Sequence, residues 1–339
     1  MTLSPARAVL HGTRNRSLVV CSALAAALVA VIAATMVIGD YPLTILEVLD
    51  TLTGGGSDRD RYIVFNVRLP RLLMAIACGV GLAVSGAIMQ SLLRNPLASP
   101  ELLGISGGAS VAAVAGTLIF GLTGFALVGA AFFGGSVIAG ILLIAASRQG
   151  ASSYRIVLAG VGIAFVCIAI VGFIIKRAQL NRAQDALRWI TGSIDATPWR
   201  DVWVLLAVLA VATPLVFAAS RILPQLELGE QRAAGLGVAV GSARTWILVT
   251  AVFLAASVTA FIGPVAFVAL SAPAIARGMV GRGSAVIAAS ALVGAVIMPL
   301  SDLAAQYALG KSVPVGIVTG MVGAVYLLWL LARPKGQRT

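Results

Sequence analysis

The chain has 339 residues, of which 60% are hydrophobic and 11% charged, with a formal net charge of +12. A soluble domain of this length has no use for so much apolar surface, so the composition excludes that class. It points instead to an all-α, polytopic membrane protein whose backbone polar groups are satisfied within helices. The positive charge does not indicate nucleic acid, because the basic residues are scattered through short segments between apolar runs.

Ten candidate spans follow in order. A basic tail over 1–16 carries Arg7, Arg14 and Arg16. The apolar run after it, 17–39, is too long for a signal peptide and is read as a retained first helix. An acidic loop with Asp40, Glu47, Asp50, Asp58 and Asp60 leads to the second span, 70–93. Pro70 suits a first helical turn, where its missing N–H costs nothing. Such a run of about 24 residues, or about 36 Å, crosses a bilayer with some tilt. Arg94, Asn95 and Pro96 break it. Ser99, Pro100 and Glu101 are residue types for N-cap, N1 and N2, so a helix is expected to restart there. The third span, 100–120, then forms a tight hairpin with the second. Its Ser106, Gly107 and Gly108 mark close backbone contact or a polar path rather than contact with lipid.

The fourth and fifth spans are 125–146 and 156–176. In the polar segment 177–199, the spacing of Leu180, Ala183, Leu187 and Ile190 predicts a short helix lying on the surface. The sixth span, 200–219, precedes a polar loop over 220–243. The seventh is 244–262. The eighth, 264–280, is short and interrupted by Pro273. The ninth and tenth are 285–307 and 314–332, and a basic tail over 333–339 closes the chain.

Little here supplies chemistry. Cys21, Cys78 and Cys167 all fall in apolar runs, as small buried hydrophobes do. His11, the single histidine, sits in the basic tail. No paired acids, Walker motif or metal-ligand spacing is present, so neither catalytic residues nor a metal or cofactor is expected. Asp302 is the only acid well inside a span, which is sparse for an ion-coupled carrier. A secondary transporter is thus the weaker alternative.

With both termini in the cytoplasm, 14 of the 24 Lys and Arg residues face that side and 9 of the 12 acids face out. The bias favours this orientation. Arg68, Arg71, Lys176, Arg177, Arg182, Arg188 and Arg200 fall on the outer side. They either snorkel to lipid phosphates or form a docking surface for an acidic partner. Arg71 is, in addition, a cation in the first turn of the expected helix, where the macrodipole opposes it. On the inner side, Glu230 to Ala234 would form a short helix ended by Gly235 or Gly237. That helix is either a passive connector or a piece that fits a partner's groove.

Five stretches in order carry a resemblance. They are RLPR at Arg68–Arg71, SGAIMQSLLRNPLASPELLGISGGA at Ser85–Ala109, LGEQRAAGLGV at Leu228–Val238, GPVAFVALSAPAIAR at Gly263–Arg277 and SVPVGIVTG at Ser312–Gly320. Together they resemble the FecCD-type permeases, membrane subunits of ATP-binding-cassette importers for iron–siderophores, haem and vitamin B12. The resemblance implies one permease domain over 1–339 with the ten-helix fold of the vitamin B12 importer, in the bacterial inner membrane. It implies as partners a second permease subunit, two ATPase subunits and an extracytoplasmic siderophore-binding protein. Leu228, Gly229, Glu230, Gln231, Arg232, Ala233, Gly235, Leu236 and Gly237 resemble the segment that couples to the ATPase. Arg68 and Arg71 resemble docking arginines for the binding protein. Gln306 stands where a further outer basic residue is usual, and Lys311 is its candidate substitute. Ser152, Ser153 and Tyr154 resemble a cytoplasmic gate, which would extend a path past Ser106, Gly107 and Gly108. The pair Pro273-Ala274 resembles the ferric-enterobactin, catecholate-type permease subunit. The expected function is therefore import of a ferric siderophore of catecholate type, with vitamin B12 or haem as the alternative cargo.

Overall fold

A computed structural model describes residues 5–147, 153–195, 197–281, 283–308 and 313–332. The described residues fold into α1 (Pro5–Val37), α2 (Ile45–Leu52), α3 (Asp58–Tyr62), α4 (Leu69–Leu92), α5 (Ile105–Leu118), α6 (Gly124–Ser147), α7 (Ser153–Lys176), α8 (Leu180–Thr191), α9 (Trp199–Glu227), α10 (Glu230–Gly235), α11 (Val240–Ile262), α12 (Val268–Val280), α13 (Ala285–Tyr307) and α14 (Val315–Ala332). Among them, seven helical runs are long and apolar enough to cross a membrane, and three shorter apolar helices lie in α5, α12 and α14. These are the ten expected spans.

Helix α4 is the hub. It is buried along most of its length, and α9, α11, α12 and α13 pack around it. Small residues let the backbones meet, as they do where helices associate in lipid. A Cβ on Gly79 would overlap the carbonyl oxygen of Gly294 on α13, and a Cβ on Gly294 would overlap that of Gly79. A Cβ on Gly86 would overlap the carbonyl of Ala269 on α12. That carbonyl is the one whose usual helical donor, four residues on, is Pro273, which has no N–H.

The helix does not start at Pro70. Residues Ile63–Arg68 form a π-helical segment that joins α3 to α4 without a break. The Leu69 N–H donates to the carbonyl of Val64, five residues back. This widened turn sits directly before the proline and absorbs its missing donor. Arg71 therefore lies inside a continuous helix rather than in a first turn. Upstream, α2 and α3 each open with a capping box, Thr44 with Glu47 and Ser57 with Asp60. The acidic loop thus contains two helices.

The restart at Ser99 lasts a single turn. The Ser99 hydroxyl accepts from the Leu102 N–H at 3.3 Å. Gly104, at φ 76°, then ends the turn: its N–H donates to Glu101 and that of Ile105 to Pro100. This pairing is the Schellman arrangement, which favours glycine at the left-handed position. Helix α5 begins only at Ile105. Helix α12 is similar, since its N-cap, Phe267, is also left-handed at φ 68°. Helices of 14 and 13 residues reach only about 20 Å, short of a hydrocarbon core about 30 Å thick. The irregular segments before them complete each crossing. At the other side of the chain's midpoint, α9 continues to Glu227, so the expected loop over 220–243 shrinks to α10 and its flanks, 228–239.

Helix crossings this close make a sign test possible. Gly79→Ala should lower the stability of the purified protein by about 1–3 kcal/mol through overpacking. Gly129→Ala on α6, where nothing lies within 4 Å of the added Cβ, should be neutral or stabilising through helix propensity. Thermal unfolding in one detergent compares them, and equal shifts would contradict the crossing.

Candidate functional site

Polar side chains gather at the two ends of the bundle. At the end formed by the start of α4, Arg71 is the centre. Its Nε and Nη2 donate to Asp302 Oδ2 and Oδ1 on α13, at 2.7 and 2.8 Å. Its Nη1 reaches Asp195 Oδ1, in the α8–α9 linker, at 3.0 Å. Gln306, one turn beyond Asp302, donates to Asp302 Oδ2 at 2.8 Å. The Asp302 side chain is 8% exposed and that of Asp195 69%. The fork-on-fork pair, with Asp302 buried and Arg71 partly exposed, is thus an anchor between α4 and α13, and loss of Arg71 leaves the buried Asp302 charge uncompensated.

Arg68 has a different task. Its guanidinium donates to the carbonyls of Met36, Val37 and Tyr41, at the end of α1 and just beyond. A cation there satisfies orphan carbonyls and meets the favourable end of the α1 dipole. Arg68, Arg71, Asp302, Gln306, Tyr307 and Asp40 line an open cavity of about 260 Å³. Elsewhere at this end, Arg182 and Arg188 of α8 are exposed. Arg177 and Arg200 stack over the rings of Phe173 and Phe125, 4.3 and 3.9 Å from the centroids.

At the opposite end, α10 projects between α9 and α11. Ala233 is its one buried residue. Glu230, Gln231, Arg232 and Gly235 are exposed, as are the flanking Leu228, Leu236 and Gly237, and Gly229 is half-buried. Gly237, at φ 85°, turns the chain out of the helix. Glu230 pairs with Arg244 of α11. Arg94, left-handed at φ 49°, ends α4 and donates to the carbonyl of Leu226. This bond ties the α4–α5 turn to the base of α10. An exposed helix held by a single alanine and flanked by two exposed leucines presents a surface for a partner rather than a core.

Between the ends lie Ser106, Gly107 and Gly108. Ser106 and Gly108 are buried. A Cβ on Gly107 would meet Cys167 of α7 at 3.0 Å, and one on Gly108 would overlap Ile138 and the Gly134 carbonyl of α6. These glycines sit at close helix contacts. Ser153 and Tyr154 open α7, whereas Ser152 and Lys311 lie outside the described residues.

Several partners had no signal in spacing. Asp195, Arg244 and the Glu101 carboxylate, which accepts from the Phe267 N–H at 3.1 Å, come close only through the fold. The nearest thing to a signal was Asp302 itself, because a lone acid in an apolar run calls for a cation.

A bundle of ten apolar helices with an exposed helical segment at one end and a charge anchor at the other defines a multi-pass membrane permease. The chain belongs to the FecCD transport family, whose model matches residues 27–333. It is 33% identical over 330 residues to the iron(3+)-hydroxamate import system permease protein FhuG of Bacillus subtilis (strain 168), covering 94% of this chain and 98% of that one. It is 34% identical over 306 residues to the ferric enterobactin transport system permease protein FepG of Escherichia coli (strain K12), covering 88% and 91%. It is 35% identical over 280 residues to the Fe(3+) dicitrate transport system permease protein FecD of the same organism, covering 81% and 86%. These relatives are transport components, not enzymes. The fold matches an inward-facing metal-chelate type ABC transporter, with a TM-score of 0.82 at 24% identity, over 94% of this chain and all of that one.

A double-mutant cycle tests the anchor. Arg71→Ala and Asp302→Ala should each destabilise the protein by about 3 kcal/mol or more. The double variant should lose clearly less than the sum, as expected for groups in direct contact. Additive losses in detergent-based unfolding would mean that the two do not pair.

Proposed function

We propose that this chain is the permease subunit of an ATP-binding-cassette importer that carries ferric–siderophore complexes, of catecholate type, into the cytoplasm. Membership of the FecCD family supports the class, and the names of the relatives FhuG, FepG and FecD support a ferric chelate as cargo. The observation that carries the mechanism is the exposure of α10 on its single buried alanine. In this reading α10 sits in a cleft of an ATPase subunit, with Leu228 and Leu236 as apolar contacts. The two ATPase subunits lie in the cytoplasm, on the side of both chain termini. A second permease completes the path, and an extracytoplasmic binding protein delivers cargo to the Arg71 end, with Lys311 as a candidate further docking cation.

The chelate is too large and polar to cross lipid, so it passes between helices in a cavity that opens to one side at a time. The path is lined weakly, from Ser106, Gly107 and Gly108 to the gate at Ser152, Ser153 and Tyr154. No side chain need ligate the iron, because the chelator does. ATPase closure moves α10, and the bonds from Arg94 to Leu226 and from Glu230 to Arg244 pass that motion to α4, α9 and α11. Such a cycle is a shift between two states, each favoured by a different partner.

Uptake separates cargo from coupling. A deletion strain carrying this chain should take up ferric enterobactin, and strains lacking it should not. Arg232→Ala with Leu236→Asp should insert normally, because both residues are exposed. Loss of one or two contacts central to an interface costs about 2 kcal/mol or more, so ATP-driven uptake should fall by at least about tenfold. Native uptake by that variant would contradict the coupling role. Rescue by vitamin B12 or haem uptake alone would reassign the cargo.

A further inference from the structure

The three contacts of Arg71 are not equal. Two N–H groups are spent on Asp302, which is buried on α13 and cannot leave without stranding a charge. The third, Nη1, is held by Asp195, which is 69% exposed and belongs to a linker. An exposed pair of this kind is weak and exchangeable. One cation thus serves two carboxylates, and one of the two is dispensable to the bundle. Beside it, the open cavity of about 260 Å³ brings Arg71 within reach of a side chain entering from solution.

We infer that Asp195 is a stand-in ligand: an aspartate or glutamate side chain of the extracytoplasmic binding protein replaces it on Arg71 Nη1 during docking. This inference rests on the docking role proposed above for Arg71 and adds what docking displaces. The exchange conserves charge at Arg71, so it costs little and reverses when the binding protein departs. It also has a consequence for the linker. Asp195 is joined to Ser193, whose hydroxyl donates to Asp195 Oδ2 at 2.7 Å and accepts from the Asp195 N–H at 3.2 Å. The Ser193 N–H donates to the carbonyl of Ile262 at the end of α11, and the Gly316 N–H at the start of α14 donates to Gly192. Displacing Asp195 removes the linker's ion pair to α4, while Ile194 stays packed against α4 and the backbone stays bonded to α11 and α14. Docking is thereby registered at the start of α14, and Arg68, spent on the end of α1, takes no part in the exchange.

The test uses the complete importer in nanodiscs with the binding protein that supports its uptake. Affinity is measured at low ionic strength for the native chain, Asp195→Asn and Asp185→Asn. Asp185, exposed on α8, controls for the general loss of one negative charge at that end. Removing the stand-in should tighten binding about two- to fivefold, the worth of one exposed ion pair, and Asp185→Asn should give clearly less. Hydrogen exchange at the residue-195 amide, which the Ser193 hydroxyl holds, should rise on docking in the native chain and should already be high in free Asp195→Asn. Equal gains from the two variants, or unchanged exchange on docking, would overturn the exchange while a salt-sensitive native affinity keeps the docking role. No association of the binding protein with the native importer would overturn both.

Discussion

In lipid every backbone polar group has to be paired inside the protein, and this chain breaks two of its crossing helices. The groups freed at those breaks fix how the bundle is tied. The Glu101 carboxylate accepts from the Phe267 N–H at the head of α12 through Oε2, which joins the two irregular segments. The buried Gln90 of α4 donates to the Leu270 carbonyl at 3.0 Å and accepts from Arg277 at 2.8 Å. Arg16 of α1 donates to the Met279 and Gly278 carbonyls at the far end of the same helix. Helix α12 is thus held along its length by side chains from α1, α4 and the α4–α5 turn. A short helix pinned at discrete points moves as a unit or not at all, which suits a protein that alternates between two packings.

The ends divide the labour differently. At the Arg71 end, charge is buried in fork geometry and joins α4 to α13. At the α10 end, charge is mostly exposed, and within α10 the one buried residue is Ala233. A bundle that is firm at one end and offers a loosely seated helix at the other can be driven from the second without losing its structure. The close glycine crossings of α4 with α12 and α13 make the intervening helices stiff enough to pass on a displacement.

Composition and the periodicity of apolar runs made ten spans legible, and α13 was read to the residue. Amphipathic spacing placed α8, and Gly235 and Gly237 marked the end of α10. What was not legible followed from the fold. Pro70 signals a helix start only if the preceding turn is ordinary, and a π-turn there removes the need. Ser99 does cap a turn, but Gly104 ends it five residues later. The polar residues from Ser220 suggested that the sixth span would stop at 219, yet α9 runs on to Glu227. The capping boxes at Thr44 and Ser57 open helices of only 8 and 5 residues, too short for apolar periodicity to show them. Arg68 and Arg71 stood out as misplaced cations, yet nothing local says that one finishes α1 and the other finds an acid 231 residues away.

The most direct measurement of the central claim is site-specific photocrosslinking from Ala234, exposed on α10, in the assembled importer. If α10 is the point at which ATP hydrolysis enters the permease, the probe should capture an ATPase subunit, with a yield that changes when ATP is bound. A probe at Arg182 on α8 should capture none. Crosslinks from position 234 to lipid alone, or an ATPase adduct from position 182 instead, would contradict it.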